Sequence, residues 1–112
     1  MNITSYLQNK HLTIALTGEL DHHSAKEVMK TVSKKIDLYL PVECVLNFRD
    51  VTFMDSSGIA IVIHAVRKMR QLQGNVILCE VPDFAKKVLL ASGVDRIAEM
   101  EERRVPVYEN QK

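Results

Sequence analysis

From the N-terminus, large apolar residues alternate with polar ones in two short runs. Ile3 to Leu7 and Leu12-Thr13-Ile14-Ala15-Leu16-Thr17 flank the polar Gln8-Asn9-Lys10, the pattern of an antiparallel hairpin whose second strand is expected to end at Gly18. Beyond Asp21 the period changes. Ala25, Val28, Met29, Val32 and Ile36 recur at three- and four-residue spacing with lysines at other positions, which predicts an amphipathic helix capped by Asp21 and stopped near Pro41. The continuous apolar run Cys44-Val45-Leu46-Asn47-Phe48 predicts a strand covered on both faces. Ile59-Ala60-Ile61-Val62-Ile63 is strand-like by composition, but Ile59, Val62, Ile63, Val66, Met69 and Leu72 keep helical spacing as far as Gly74, expected as the C-terminal cap. Val76-Ile77-Leu78-Cys79 predicts a fourth strand. Pro82 then opens a third helix whose Phe84, Val88 and Ala91 are expected to face inward before Gly93 ends it.

The order β-β-α-β-α-β-α predicts an α/β fold, a small mixed β-sheet packed with amphipathic helices, in which the second, third and fourth strands run parallel. In such sheets the connections leaving the carboxyl ends of parallel strands gather on one edge, where sites form. Gly18–His23 is expected to leave the second strand and Asp50–Ser57 the third, so Asp21, Asp55, Ser56 and Ser57 are expected to become neighbours, each near the start of a helix.

Length and composition narrow the function class. The 112 residues match one domain, 1–112, able to bury a core without disulfides or metals. With 46% hydrophobic and 26% charged residues the chain reads as a soluble globular protein, and no apolar run is long enough to span a bilayer. Met1 to Ser5 carries neither the basic nor the apolar segment of a secretion signal, so a cytoplasmic location and no membrane partner are expected. A net charge of +1 with interspersed signs leaves no footprint for nucleic acid. Cys44 and Cys79 lie in apolar strand-like runs and read as small buried hydrophobes. His11, His22, His23 and His64 lack ligand spacing, so no metal and no cofactor are expected.

The stretch that carries candidate chemistry is Asp55-Ser56-Ser57-Gly58, where a strand region turns into a helix. Unpaired N–H groups and the positive end of the helix dipole favour an anion such as phosphate there. The same residues also fit plain capping, with Met54 and Ile59 as a hydrophobic staple, and the residues alone leave both readings open. A hydrolase is disfavoured: the first glycine of a nucleophile elbow is missing, and His22 and His23, expected to point apart and with no acid to orient them, supply no base. The chain is therefore not expected to be an enzyme.

Both connections resemble the signatures of a known family. Thr17-Gly18-Glu19-Leu20-Asp21-His22-His23 is similar to the first signature of the anti-sigma factor antagonists, single STAS domains of bacterial regulatory systems. Phe53-Met54-Asp55-Ser56-Ser57-Gly58 is similar to the second, and Ser92-Gly93-Val94-Asp95-Arg96-Ile97 resembles a third, weaker one. The likeness runs from about the first strand to Ile97 and is nearest to the sporulation-type antagonist, with sporulation and general stress both open as outputs. It implies a switch in which an ATP-dependent serine kinase, itself the anti-sigma factor, phosphorylates Ser56. Unmodified antagonist binds this kinase and frees the sigma factor; the modified form does not, until a metal-dependent serine phosphatase restores the hydroxyl. The resemblance also implies a partner-binding surface at Asp21, Asp55, Ser56, Ser57 and Gly58, with Gly58 letting partner backbone approach. A monomer is expected, with a dimer as the alternative.

Two departures stand out. Ala60 replaces a second small glycine, and the C-terminal tail 99–112, with Glu99 to Arg104 followed by Val105-Pro106-Val107-Tyr108, does not match an amphipathic last helix, which Pro106 would interrupt. The alternative function is a STAS-fold scaffold or accessory binding module, such as a subunit serving nucleotide or lipid transport, not regulated through its own phosphorylation.

Overall fold

The computed structural model describes residues 1–101. Strands β1 (Asn2–Gln8) and β2 (His11–Leu20) form the expected antiparallel hairpin. Asn9 and Lys10 turn it with φ of 50° and 66°, the paired positive values whose twist matches that of the flanking strands. Helix α1 (His22–Tyr39), β3 (Glu43–Met54), α2 (Ser57–Arg70), β4 (Asn75–Cys79) and α3 (Asp83–Ser92) follow in the predicted order, and a short 3-10 turn over Val94–Arg96 leads to β5 (Glu99–Glu101). The strands lie side by side in chain order, with β2 to β5 mutually parallel. None of the described helices is long and apolar enough to cross a membrane.

The period of two along the strands decides which face each residue serves. Ile14, Leu16, Cys44, Leu46, Phe48 and Leu78 point to one face and join Val28, Val32, Ile61, Val62, Met69 and Leu89 of the helices in a single core. Burying each large apolar side chain there contributes roughly 2 kcal/mol. Val45, Ile77 and Cys79 form a separate buried cluster, so the run Cys44 to Phe48 does serve two faces. The β-branched start of α2 is helical because its spacing gives a buried stripe: Ile61, Val62, Ala65, Val66 and Met69 are all buried.

Four expectations are corrected. First, β2 does not stop at Gly18, and β3 continues through Asp50 to Met54, because the two strands go on hydrogen bonding to each other past the reach of β4. Second, α3 buries Ala85 and Leu89, while Phe84 (44% exposed) and Ala91 face solvent; several apolar residues ring this helix, and its docking chooses the phase. Third, the left-handed residue that closes α2 is Gln73 (φ 57°), not Gly74. The N–H of Gln73 donates to the carbonyl of Arg70 and that of Gly74 to the carbonyl of Met69, the bond pattern of a Schellman closure. Gly74 is bare for another reason: a Cβ there would lie 2.7 Å from the carbonyl oxygen of Val42. Fourth, Glu99–Glu101, expected in an atypical tail, is a strand, pairing with Ile77, Leu78 and Cys79 while Met100 packs on the core. The rest of that tail, including Pro106, lies outside the described residues.

Candidate functional site

The site is built by the ends of β2 and β3. Pairing runs to Glu19↔Phe53 and Leu20↔Met54, with register shifts between Ala15 and Thr17 and between Gly18 and Glu19. Gly18 adopts φ 114°, a conformation that side chains rarely take, so the bulge needs glycine there. Since Leu20 and Met54 face each other, Asp21 and Asp55 each stand one residue beyond a matched pair. The N–H of Asp55 donates to the carbonyl of Leu20 at 3.2 Å, locking the two connections together.

Each aspartate then starts a helix. Asp21 Oδ1 accepts from the N–H groups of His23 and Ser24, both at 3.0 Å, and Ser24 Oγ accepts in return from the N–H of Asp21 at 3.1 Å. This reciprocal arrangement satisfies donors that a helix start otherwise leaves open. The bond from the Ser24 N–H is the main cause holding the Asp21 carboxyl below its ordinary value of 3.8, partly opposed by desolvation. On α2, Asp55 Oδ1 accepts from the N–H of Ser57 at 2.8 Å. Ser56 already has helical angles (φ −62°, ψ −13°), makes no capping bond with its side chain and is exposed. Its hydroxyl is thus not used in starting the helix. Ser57 is half-buried.

Gly58 is buried, and the reason for glycine there is internal: a Cβ would lie 2.4 Å from Met54 Sδ. Met54 fills that space from below while staying only 6% exposed. Phe53, by contrast, is 47% exposed beside it, an apolar spot on an otherwise charged edge.

The edge is acidic. The segments Thr17–Asp21, Arg49–Ser57 and Glu80–Asp83 hold six acids, Glu19, Asp21, Asp50, Asp55, Glu80 and Asp83, against one base, Arg49, which pairs with Asp50 at 3.7 Å. Such a field favours a basic surface in anything that docks here and opposes added negative charge. Among the described residues, no group of three His, Cys, Asp or Glu side chains is placed to hold a metal ion.

The structure therefore brings Asp21 and Asp55 together with Ser56, Ser57 and Gly58 on one edge. His22 and His23 depart from expectation: their rings do not point apart but lie 4.0 Å centroid to centroid, inclined at 37°. At the first turn long side chains lean back toward the N-terminus, where no preceding turn separates them. Sequence reading missed Ser24, although a serine three residues after Asp21 is a visible capping-box spacing. It also missed the carbonyl of Leu20, for which no side chain gives a signal.

Comparison with known proteins agrees with this architecture. A family profile described as the STAS domain matches residues 2–110. Curated relatives include the anti-sigma F factor antagonist of Paenibacillus polymyxa, 29% identical over 100 residues that span 89% of this chain and 80% of the relative. Another is the anti-sigma F factor antagonist of Lysinibacillus sphaericus, 31% identical over 83 residues, 74% of this chain and 71% of the relative. Among solved structures, the anti-sigma factor antagonist SpoIIAA in its unphosphorylated form superposes with a TM-score of 0.78 at 25% identity, covering 98% of this chain and 93% of that one. The Bacillus cell fate determinant SpoIIAA in the phosphorylated form gives 0.71 at 25% identity, covering 98% and 96%.

Proposed function

This chain belongs to the STAS domain family, and from that premise we propose that it is an anti-sigma factor antagonist switched by phosphorylation of Ser56. The unmodified protein docks an anti-sigma factor serine kinase through the edge that holds Asp21, Asp55, Ser56, Ser57 and Gly58, and so frees the sigma factor. The kinase transfers the terminal phosphoryl group of ATP to Ser56 Oγ, releasing ADP and the hydroxyl proton, and a metal-dependent serine phosphatase reverses the modification. The chain itself acts by binding.

The observation that carries this reading is the exposed hydroxyl of Ser56, uncommitted to capping and seated at the start of α2 on an acidic edge. The names of the antagonist relatives and the two solved states of SpoIIAA support it. A phosphoserine adds about 1.5 to 2 negative charges at neutral pH. Seating that dianion against a surface that fitted a neutral hydroxyl costs a few kcal/mol in desolvation and steric misfit, about a hundredfold or more in affinity. The start of a helix meanwhile accommodates a phosphate, so the free domain keeps its fold.

The test is to mix the protein with its cognate kinase and ATP and locate the modification by mass spectrometry. A single phosphate on Ser56, absent from Ser56→Ala, is expected; phosphate persisting on Ser56→Ala overturns the assignment. In a pull-down, Ser56→Asp loses the kinase while Ser56→Ala keeps it. A scaffold or accessory module responds to neither substitution.

A further inference from the structure

We propose that the groove between α1 and α2 is a second docking surface, which takes an acidic, partly apolar segment of a protein partner and acts independently of Ser56 phosphorylation. The groove is open to solvent, has a volume of about 590 Å³ and is lined by His23, Lys26, Glu27, Met29, Lys30, Ser33 and His64. Its walls are tied together rather than merely adjacent: Ser33 Oγ of α1 is hydrogen bonded to His64 Nε2 of α2, and Lys68 Nζ pairs with Asp37 at 2.6 Å farther along.

Charge selects the occupant. Helices α1 and α2 together carry seven lysines and arginines against two acids, a net of five positive charges in a chain whose formal net is +1, so the remainder is four negative. Lys68 is engaged by Asp37, whereas Lys26 and Lys30 are exposed and have no acidic ion-pair partner among the described residues. Two unneutralised ammonium groups on a groove with one carboxylate, Glu27, attract an anion. Half-buried Met29 and the lysine stems add apolar surface, which an inorganic anion leaves unused and an amphipathic acidic segment covers. A long polyanion such as nucleic acid fits worse, because beyond His23, in the first turn of α1 next to Asp21, it meets the carboxylates of the neighbouring edge.

The test uses the full chain, labelled with nitrogen-15, and a synthetic amphipathic helical peptide of about fifteen residues built from Glu, Leu and Ala. The Glu peptide is expected to shift amides around Lys26, Lys30, Ser33 and His64 saturably, while a peptide with Lys in place of each Glu does not. Lys26→Glu with Lys30→Glu weakens the interaction about tenfold or more, and circular dichroism verifies that this exposed-site variant is folded. Ser56→Asp leaves peptide binding unchanged, which separates failure of this inference from failure of the phosphorylation reading. Absence of a saturable shift, equal binding by the Lys peptide, undiminished binding by the double variant, or the same saturable shifts with inorganic phosphate alone overturns it.

Discussion

Replacing Gly58 by alanine tests whether internal packing, and not a partner, requires glycine under the candidate phosphoacceptor. The new Cβ would stand 2.4 Å from Met54 Sδ, 2.6 Å from its Cγ and 3.2 Å from its Cε. Ordinary carbon contacts sit near 3.5 to 4.0 Å, so the whole Met54 side chain must move by about 1 Å, not only its terminal methyl. Met54 is 6% exposed and packed in the core, where such overpacking costs about 1–3 kcal/mol. Against this, alanine gains up to about 1 kcal/mol over glycine in a helix, and less in its first turn. The net expectation is a loss of about 1–2 kcal/mol, read from urea unfolding followed by circular dichroism with the slope unchanged. Met54→Ala alone is expected to cost about 2–4 kcal/mol through the cavity it leaves. In the double variant the methyl introduced by Gly58→Ala occupies part of that cavity, so the two costs fall short of adding by about 1 kcal/mol or more. Strict additivity refutes the packing account. Unchanged stability with lost kinase binding instead returns Gly58 to the role of admitting partner backbone.

Neighbouring positions at the end of α2 should respond with opposite signs: Gly74→Ala loses about 2 kcal/mol against the fixed carbonyl of Val42, whereas Gln73→Gly, at φ 57°, gains about 0.5–1 kcal/mol. Urea midpoints of the two variants check this, and shifts of the same sign contradict it. Because the folded state holds the pKa of Asp21 below 3.8, its contribution is complete above the unfolded value and disappears as pH falls through the folded one. Asp21→Ala should therefore lose stability near neutral pH and show a shallower acid limb below about pH 4; an acid limb parallel to that of the parent protein rules this out. Burial, with a smaller effect from Glu43, pushes the Cys44 thiol up to about 12, and Cys79 is buried as well. An aromatic disulfide reagent at about pH 8, near the ordinary thiol range, should detect both thiols only after denaturation, and rapid reaction of the native protein would disprove the burial.

The elements of this fold were legible because burial is a property of faces. A period of two and a period near 3.6 place the same apolar residues on one side whatever the neighbours are, so Leu12 to Leu16, Val28 to Ile36 and the β-branched start of α2 declared themselves. The Asp55-Ser56-Ser57-Gly58 stretch was legible for a related reason: capping and helix-dipole chemistry act between residues adjacent in the chain. Where several apolar residues surround a helix, as in α3, periodicity admits more than one phase, and docking selected Ala85 and Leu89 over Phe84 and Ala91. Glu99-Met100-Glu101 carries too little apolar character to announce a strand and became one by pairing with β4.

What the amino-acid order determined by itself was which residues could start a helix and which could be buried. Tertiary structure alone decided that β2 and β3 stay paired to Leu20 and Met54, that the Leu20 carbonyl receives the Asp55 N–H, and that Met54 rises under Gly58. The physical reason is that a strand ends where its backbone donors and acceptors lose their partners, and those partners belong to another strand.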